Sequence, residues 1–284
     1  MPQHKYALGI IGTGHIAAII VNRLLACGYL SRDRIIVSTS RALKAHPLDV
    51  PVAADNASVV RDAKMVMISV TPQKFAAAAE SFRDVVTPDH LILSLMAGVS
   101  TDRVAAVLAR HDVAQPPSAV IQLLPRVIRA MPNLPFGLGR GVTGLFRGSH
   151  ATRDDMEEVK HFFNAGGVTV EVEREELMDA VTAVAGSGPA YFYYFVEMMM
   201  AGGVAAGLKP ADAQVLAAHA CVGAGAMLLE KDASPAELRA AVTSPGGTTQ
   251  AAMDKLRECR VAEHVTEAVL AAFRRGQELG QSVN

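Results

Sequence analysis

Tyr6-Ala7-Leu8-Gly9-Ile10-Ile11 runs directly into Gly12-Thr13-Gly14-His15-Ile16-Ala17, and the reading of this junction decides the fold. The first half is a short apolar run with strand character. The second opens a helical run, Ile16 to Cys27, closed by Gly28. A GxGxxA string between strand and helix has a mechanical meaning. Gly12 permits a tight turn, Gly14 lets the backbone approach a pyrophosphate, and Ala17 lets the helix pack closely. The helix N-terminus then directs its free N–H groups and dipole at the phosphates. Gly12, Thr13, Gly14, His15, Ile16 and Ala17 are therefore the candidate dinucleotide turn, with a plain glycine turn of an α/β domain as the alternative.

Further along, Arg34 to Ser38, Met65 to Val70, Leu91 to Leu95 and Val168 to Val172 read as strands alternating with helical stretches, the pattern of βαβ units in a mostly parallel sheet. Thr152-Arg153-Asp154-Asp155 is a capping-box pattern before Met156 to Phe163, with Gly166-Gly167 as the stop. From about Glu175 strand signals vanish and the chain turns Ala-, Met- and Leu-rich with helical spacing. We expect an α/β domain over residues 1–173 and an all-α domain over 174–284. Lys209-Pro210 and Ser234-Pro235-Ala236-Glu237 read as helix starts, with proline where a missing N–H costs nothing. The longest apolar region, Ala180 to Gly207, is interrupted by Gly186, Gly188, Pro189 and Glu197 and reads as a buried helix rather than a membrane span. Tyr191 to Phe195 and Met198 to Met200 are too apolar all round for an exposed helix, so the core or a subunit interface must cover them, and a homo-oligomer is expected. The stretch His111 to Pro125 reads as an exposed loop.

Composition narrows the function. The 284 residues carry 27 basic and 28 acidic side chains, so no steering field for nucleic acid or an anionic membrane is expected, and the ligand should be small. Cys27, Cys221 and Cys259 form no CxxC pair, which points to a reducing, cytoplasmic compartment; Cys221, in an Ala-rich helical stretch, reads as core. The first residues show no signal-peptide pattern. The nine histidines show no HxH or HExxH spacing, so no metal site is expected.

Ser38-Thr39-Ser40-Arg41 follows the second strand, where an NAD site would place an acid for the ribose 2′-OH. Hydroxyls and a guanidinium can instead hold the 2′-phosphate of NADP, with Arg41 giving charge-assisted hydrogen bonds; a solvated turn is the alternative. Val70-Thr71-Pro72 and Leu95-Met96-Ala97 lie just past strands, at the carboxyl edge where dinucleotides bind in open sheets, or are plain loops. In the helical half, Val242-Thr243-Ser244-Pro245-Gly246-Gly247-Thr248-Thr249 precedes a helical run. The N–H groups of Gly246, Gly247 and Thr248 can converge on a carboxylate, and Thr249 can offer its hydroxyl to a ring nitrogen. A simple turn and cap would also account for the string. Gly186-Ser187-Gly188-Pro189 interrupts a helical pattern. Arg129-Ala130-Met131-Pro132-Asn133-Leu134-Pro135 reads as an extended or turning segment at the domain seam.

Taken in order, GTGHIA, Asn56, SVTPQ, MAGVS, RVIRAMPNLP, DAVTAVAGSGPAY and VTSPGGTT resemble the pyrroline-5-carboxylate reductase family over nearly the whole chain. The resemblance implies an α/β Rossmann N-terminal domain, an all-α C-terminal domain that forms homodimers or larger assemblies of dimers, and NADPH-dependent reduction of 1-pyrroline-5-carboxylate to L-proline, with NADH weaker. It implies cofactor contacts at Gly12 to Ala17, Ser38, Thr39, Asn56, Val70 to Pro72 and Leu95 to Ala97. It implies substrate contacts at Glu175, Val242, Gly246, Gly247, Thr248 and Thr249, with Thr249 catalytic. Asn56 as a turn or cap residue and Glu175 as a partner of a helix dipole remain the alternatives. Thr71, Leu134, Ala185, Asp232 and Ala241 depart from the family's usual residues. The rivals are a reductase of another small imine or keto acid and an NADP(H)-sensing regulator without turnover.

Overall fold

The computed structural model describes residues 4–38, 48–109 and 124–281. Contacts divide the chain into Met1–Gly186 with Ala272–Asn284, and Ser187–Ala271.

The first unit is built on a seven-stranded sheet of order β2-β1-β3-β4-β5-β6-β7. The strands are β1 Tyr6–Ile11, β2 Ile35–Ser38, β3 Ala63–Ile68, β4 Leu91–Ser94, β5 Arg126–Pro132, β6 Gly141–Arg147 and β7 Gly167–Glu171. Every neighbouring pair is parallel except β5 with β6. Alternate residues of the central strands enter different cores. Ile10, Met67, Leu93 and Ile128 pack with Ile20 and Leu24 of α1 (His15–Ala26) and with Val159 and Phe163 of a later helix, Arg153–Asn164. Ile11, Ile68, Ile92 and Val127 pack on the other face, against Val59 of α2 (Asn56–Asp62), Phe75 of α3 (Pro72–Glu80) and Val104 of α4 (Thr101–Leu108). Period-two alternation thus feeds two cores, which is why these strands read as continuous apolar runs. Each fully buried Ile, Leu or Phe contributes about 1.5–3 kcal/mol.

The helix Arg153–Asn164 is α5; its capping box is formed, with Thr152 Oγ1 accepting from the Asp155 N–H and Asp155 accepting from the Thr152 N–H. The strands expected from the sequence are present, Tyr6–Ile11 with the expected bounds and the others displaced by a residue or two at one or both ends. The expectation of an extended or turning segment at Arg129–Pro135 is refined: Arg129 to Pro132 belong to β5, whose partner β6 had no sequence signal. Of the expected loop, residues 111–123 lie outside the described residues.

After β7, α6 (Leu177–Val181) leads into a π-helical turn, Thr182–Gly186, the observed form of the interruption expected at the Gly-Ser-Gly-Pro string. Asn133 pins it. Its amide Nδ2 donates to the Ala185 carbonyl at 3.1 Å, and its Oδ1 accepts from the Val142 N–H at 3.0 Å.

The second unit is helical: α7 Gly188–Ala205, α8 Pro210–Glu230, α9 Pro235–Ala241, α10 Thr248–Glu258 and the first part of α11, Val261–Gln281. Prolines open α8 and α9 as expected, and Ser234 with Glu237 closes a capping box. Within the chain these helices bury little. Only Gly188 of α7 and Ala213 and Ala217 of α8 are buried, while Phe192, Tyr194, Val222 and Leu229 are exposed. Two expectations change accordingly. Cys221 is partly exposed rather than core, and the apolar run from Ala180 is not buried by its own chain. Among the described residues, α8 is the one helix long and apolar enough to cross a membrane.

His90, 4% exposed, precedes β4. Its Nδ1 accepts from the Thr87 N–H at 2.9 Å, and its Nε2 lies 2.9 Å from the Val60 carbonyl, so the ring is neutral with the proton on Nε2. Burial lowers its pKa below 6.5. Between that lowered value and the ordinary one, the unfolded chain binds a proton that the folded chain does not. The contribution is therefore complete above about pH 6.5 and is lost as pH falls through the window. The melting temperature should drop from about pH 7.5 to about pH 5, and by less in His90→Gln than in wild type; an equal drop in thermal melts of the two would remove His90 from the acid sensitivity.

Candidate active site

The dinucleotide candidate lies at the carboxyl edge of the parallel strands. Gly12 has φ +90°, and a Cβ there would sit 2.9 Å from the Ser69 carbonyl carbon and the Val70 nitrogen. No L side chain fits that turn. Gly14 is the N-cap of α1, is exposed, and offers no capping side chain. The N–H groups of the first helical turn, from His15 through Ala17, are thus left for a ligand at a helix start with no acidic residue. Thr13 and Ile16 flank them half-buried, and Ala17 is fully buried against the sheet.

Two hydrogen bonds continue the ladder past the strand ends. The Ser69 N–H donates to the Ile11 carbonyl at 2.9 Å, and the Leu95 N–H to the Ile68 carbonyl at 3.0 Å. They bring Gly12, Val70 and Leu95 to one edge. Thr71 is the N-cap of α3, makes no capping bond with its side chain, and is followed by Pro72 at the first helical position. Leu95 and Ala97 are half-buried, whereas Met96 is 1% exposed and packs into the core. Any ligand contact at Met96 is therefore through its backbone.

Ser38 and Asn56 also meet. The Ser38 hydroxyl donates to Asn56 Oδ1, and Asn56 Nδ2 donates to Ser81 Oγ at 2.8 Å. Ser81 Oγ in turn donates to the Ala78 carbonyl at 2.6 Å. The chain of bonds ties the end of β2 to the start of α2 and the end of α3. Asn56 is not the cap of α2; Asp55 is, accepting from the Ser58 N–H at 2.7 Å. Thr39, Ser40 and Arg41 lie outside the described residues.

In the helical unit, α9 ends at Val242, which is 66% exposed. Gly246 has φ +72° with open space around it, and Gly247 is the N-cap of α10. The Gly247 N–H donates to the Ser244 carbonyl at 3.0 Å, closing the turn. That amide is engaged, contrary to the expected three-amide cradle. The Thr248 and Thr249 N–H groups begin the 11-residue helix α10, where no carbonyl four residues back is available. With Gly246 they form a donor set at a positive helix end, Gly246 and Thr248 exposed and Thr249 half-buried. Lys209, Lys231 and Lys255, the lysines nearest to an acid/base role in this half, are exposed.

Glu175 is in the first unit. Its carboxylate accepts from the Thr101 N–H at 2.7 Å and the Thr101 hydroxyl at 2.9 Å, and Arg129 Nη1 stands 3.8 Å away. Burial raises its pKa, against the opposing pull of the Thr101 bonds and Arg129. Arg129 has no role in the sequence expectations; its one signal is an arginine set among the apolar residues of β5.

Comparison with known proteins fits this geometry. A pyrroline-5-carboxylate reductase dimerisation family matches residues 175–279, and an NADP oxidoreductase family described as coenzyme F420-dependent matches residues 7–98. A pyrroline-5-carboxylate reductase of Synechocystis is 36% identical over 278 residues, 96% of this chain and 98% of that protein. The chain belongs to the pyrroline-5-carboxylate reductase family. The solved pyrroline-5-carboxylate reductase of Coxiella burnetii is 30% identical, covers 97% of this chain and 99% of its own, and superposes with a TM-score of 0.83. The Plasmodium falciparum pyrroline carboxylate reductase, solved with NADP bound, shares the fold with a TM-score of 0.84 at 20% identity, covering 98% and 100% of the chains. The family thus pairs a Rossmann-type sheet domain with a helical dimerisation domain, as found here.

Gly12→Ala should weaken NADP+ binding about tenfold or more, because a left-handed turn costs an L residue roughly 1–2 kcal/mol before any clash. Calorimetric titration checks it; wild-type affinity in this variant would detach the turn from the cofactor.

Proposed function

We propose that this protein reduces the C=N bond of 1-pyrroline-5-carboxylate to give L-proline, with NADPH as the preferred hydride donor and NADH as a weaker one. The supporting observation is full-length membership of the reductase family together with two ligand-ready helix starts, one in each unit. The Gly12 turn fits a dinucleotide: it is the place where a side chain would fill the approach, and the α1 N-terminus supplies donors without a competing acid.

When bound, the dihydronicotinamide supplies hydride to the imine carbon. The chain's residues hold and orient the reactants. Backbone N–H groups at the start of α1 bind the pyrophosphate, flanked by the Val70-to-Pro72 and Leu95-to-Ala97 loops. Ser38, with Thr39, Ser40 and Arg41 following it in sequence, serves the 2′-phosphate side, and Asn56 orients Ser38. Gly246, Thr248 and Thr249 N–H groups hold the substrate carboxylate, with Gly247 shaping the turn and Val242 beside it. The Thr249 hydroxyl accepts the N–H of the protonated imine and stays on the nitrogen as it becomes a neutral amine. A protonated imine is already a strong electrophile, so orientation supplies most of the rate and no metal is required.

The division 1–173 and 174–284 is proposed as the functional one, and the matches at 7–98 and 175–279 support it. The apolar faces of α7 and α8 are assigned to a homodimer or a larger assembly of dimers rather than to lipid or nucleic acid. The matched dimerisation family and the exposed Phe192, Tyr194 and Leu229 support this assignment. The cytoplasm is the proposed location, in keeping with three unpaired cysteines.

Spectrophotometry with 1-pyrroline-5-carboxylate and each reduced cofactor tests the reading. We expect turnover with both and about tenfold to a hundredfold higher kcat/KM with NADPH, since a charged hydrogen bond to the 2′-phosphate contributes about 1.5–3 kcal/mol. Oxidation of neither cofactor by the imine, with binding intact, would favour a sensing role. Thr249→Ala should lower kcat about tenfold to a thousandfold, or ~1.4 to 4 kcal/mol, for a bond that strengthens in the transition state. An unchanged kcat would remove Thr249 from the chemistry.

A further inference from the structure

The first unit holds a charge cluster, a buried Arg129 between two half-buried carboxylates, that the proposed chemistry does not use. Arg129, 2% exposed in the middle of β5, donates from Nη2 to Asp179 Oδ1 at 2.9 Å and pairs with Glu175 at 3.8 Å. Glu175 holds both the N–H and the hydroxyl of Thr101, the first residue of α4. Asp179 lies against the end of α11; a Cβ on Gly276 would be 3.3 Å from the Asp179 Cβ. One turn further, Gly280 presses on Gly98. Gly98 has φ +74°, and a Cβ there would lie 2.5 Å from the Gly280 nitrogen and 2.8 Å from the Gly276 oxygen.

These contacts close a circuit. It runs from Thr101 through Glu175, Arg129 and Asp179 to Gly276 and Gly280, and back through Gly98 into the loop that joins β4 to α4. That loop, residues 95–100, is therefore clamped at both its middle and its end, and neither clamp is local in sequence. Its first residues are those assigned above to the cofactor. Arg129 also stands in register with Ser94, the last residue of β4. A bare structural salt bridge would not need to converge on one loop from two sides, because replacing a buried ion pair by apolar residues is often neutral or stabilising.

We propose that Arg129 and Glu175 are positioning residues for the dinucleotide: acting through Thr101, and together with the Gly98–Gly280 contact, they set the 95–100 loop that borders the cofactor. Glu175 then acts on that loop through its bonds to the Thr101 N–H and hydroxyl. This inference rests on the cofactor reading above, and the two fail separately in the test.

The test is NADP+ titration of the full-length protein by calorimetry well below its melting temperature, with KM for NADPH and for 1-pyrroline-5-carboxylate measured on the same samples. Glu175→Ala releases the loop. Glu175→Gln can still accept from the Thr101 N–H and should rescue. Arg129→Met leaves two half-buried carboxylates without their cation and is expected to lose stability, so Gly280→Ala serves as the second, uncharged probe of the same loop. The expected result is a rise of about tenfold in the NADP+ Kd and the NADPH KM for Glu175→Ala and Gly280→Ala, equal to ~1.4 kcal/mol. Glu175→Gln should lie between them and wild type, and the imine KM should move less than about twofold by the same arithmetic. A raised imine KM with unchanged NADP+ affinity in Glu175→Ala would overturn the inference and make Glu175 a substrate contact. Lowered melting temperatures with unchanged Kd would reduce the cluster to packing. Absence of NADP+ binding by the wild type would overturn the cofactor reading itself.

Discussion

The arrangement of the first unit depends on a parallel hydrogen-bond ladder that does not stop where the strands do. The Ser69 N–H reaching the Ile11 carbonyl and the Leu95 N–H reaching the Ile68 carbonyl carry the pairing of β1, β3 and β4 into their loops. Loops after parallel strands would otherwise be free to diverge. Held by these bonds, the Gly12 turn, the Ser69–Thr71 segment and the start of the 95–100 loop share one edge, and their spacing is inherited from the strand separation of the sheet. The left-handed Gly12 is the local consequence, since the neighbouring backbone at Ser69 and Val70 leaves no room for a side chain.

What the sequence discloses divides along the range of the interaction responsible. Short-range chemistry was legible: the GxGxxA turn, the capping boxes at Thr152 and Ser234, and the proline at the start of α8 each depend on residues within a few positions. Strands buried on both faces were legible because their apolar runs are continuous. β5 was not, since Arg129 and Pro132 interrupt the run, and the reason an arginine is tolerated there lies some fifty positions away at Asp179. β6 was hidden by Gly141 and Gly144. A Cβ at Gly144 would strike the Val181 side chain, so the glycine answers to a helix that its own neighbourhood does not reveal.

The same limit applies to the candidate site. The Ser244–Thr249 turn was readable as a helix start, yet which amides stay free was not: the Gly247 N–H closes onto Ser244, a choice made by backbone geometry rather than composition. Cys221 illustrates the opposite error. Helical periodicity and burial statistics placed it in a core, but α8 buries only Ala213 and Ala217 within its own chain. A helix apolar on every side, leaning on its partner α7 through Gly203 and Ala213, requires more apolar cover than one chain supplies.

The distribution of charge follows from what imine reduction demands. The electrophile arrives activated, so the groups assigned to substrate and cofactor are mainly backbone N–H donors and hydroxyls, which hold their geometry without titrating. Fixed dipoles of this kind are only as good as the backbone that carries them. In the first unit a buried Arg129 pairs with the half-buried Glu175 and Asp179, and Glu175 fixes main chain by accepting from the Thr101 N–H. Glu175 illustrates the logic: desolvation favours its neutral form, and the Thr101 N–H and Arg129 keep the charge worth retaining. In a site built from backbone donors, ionisable residues matter through the positions they impose.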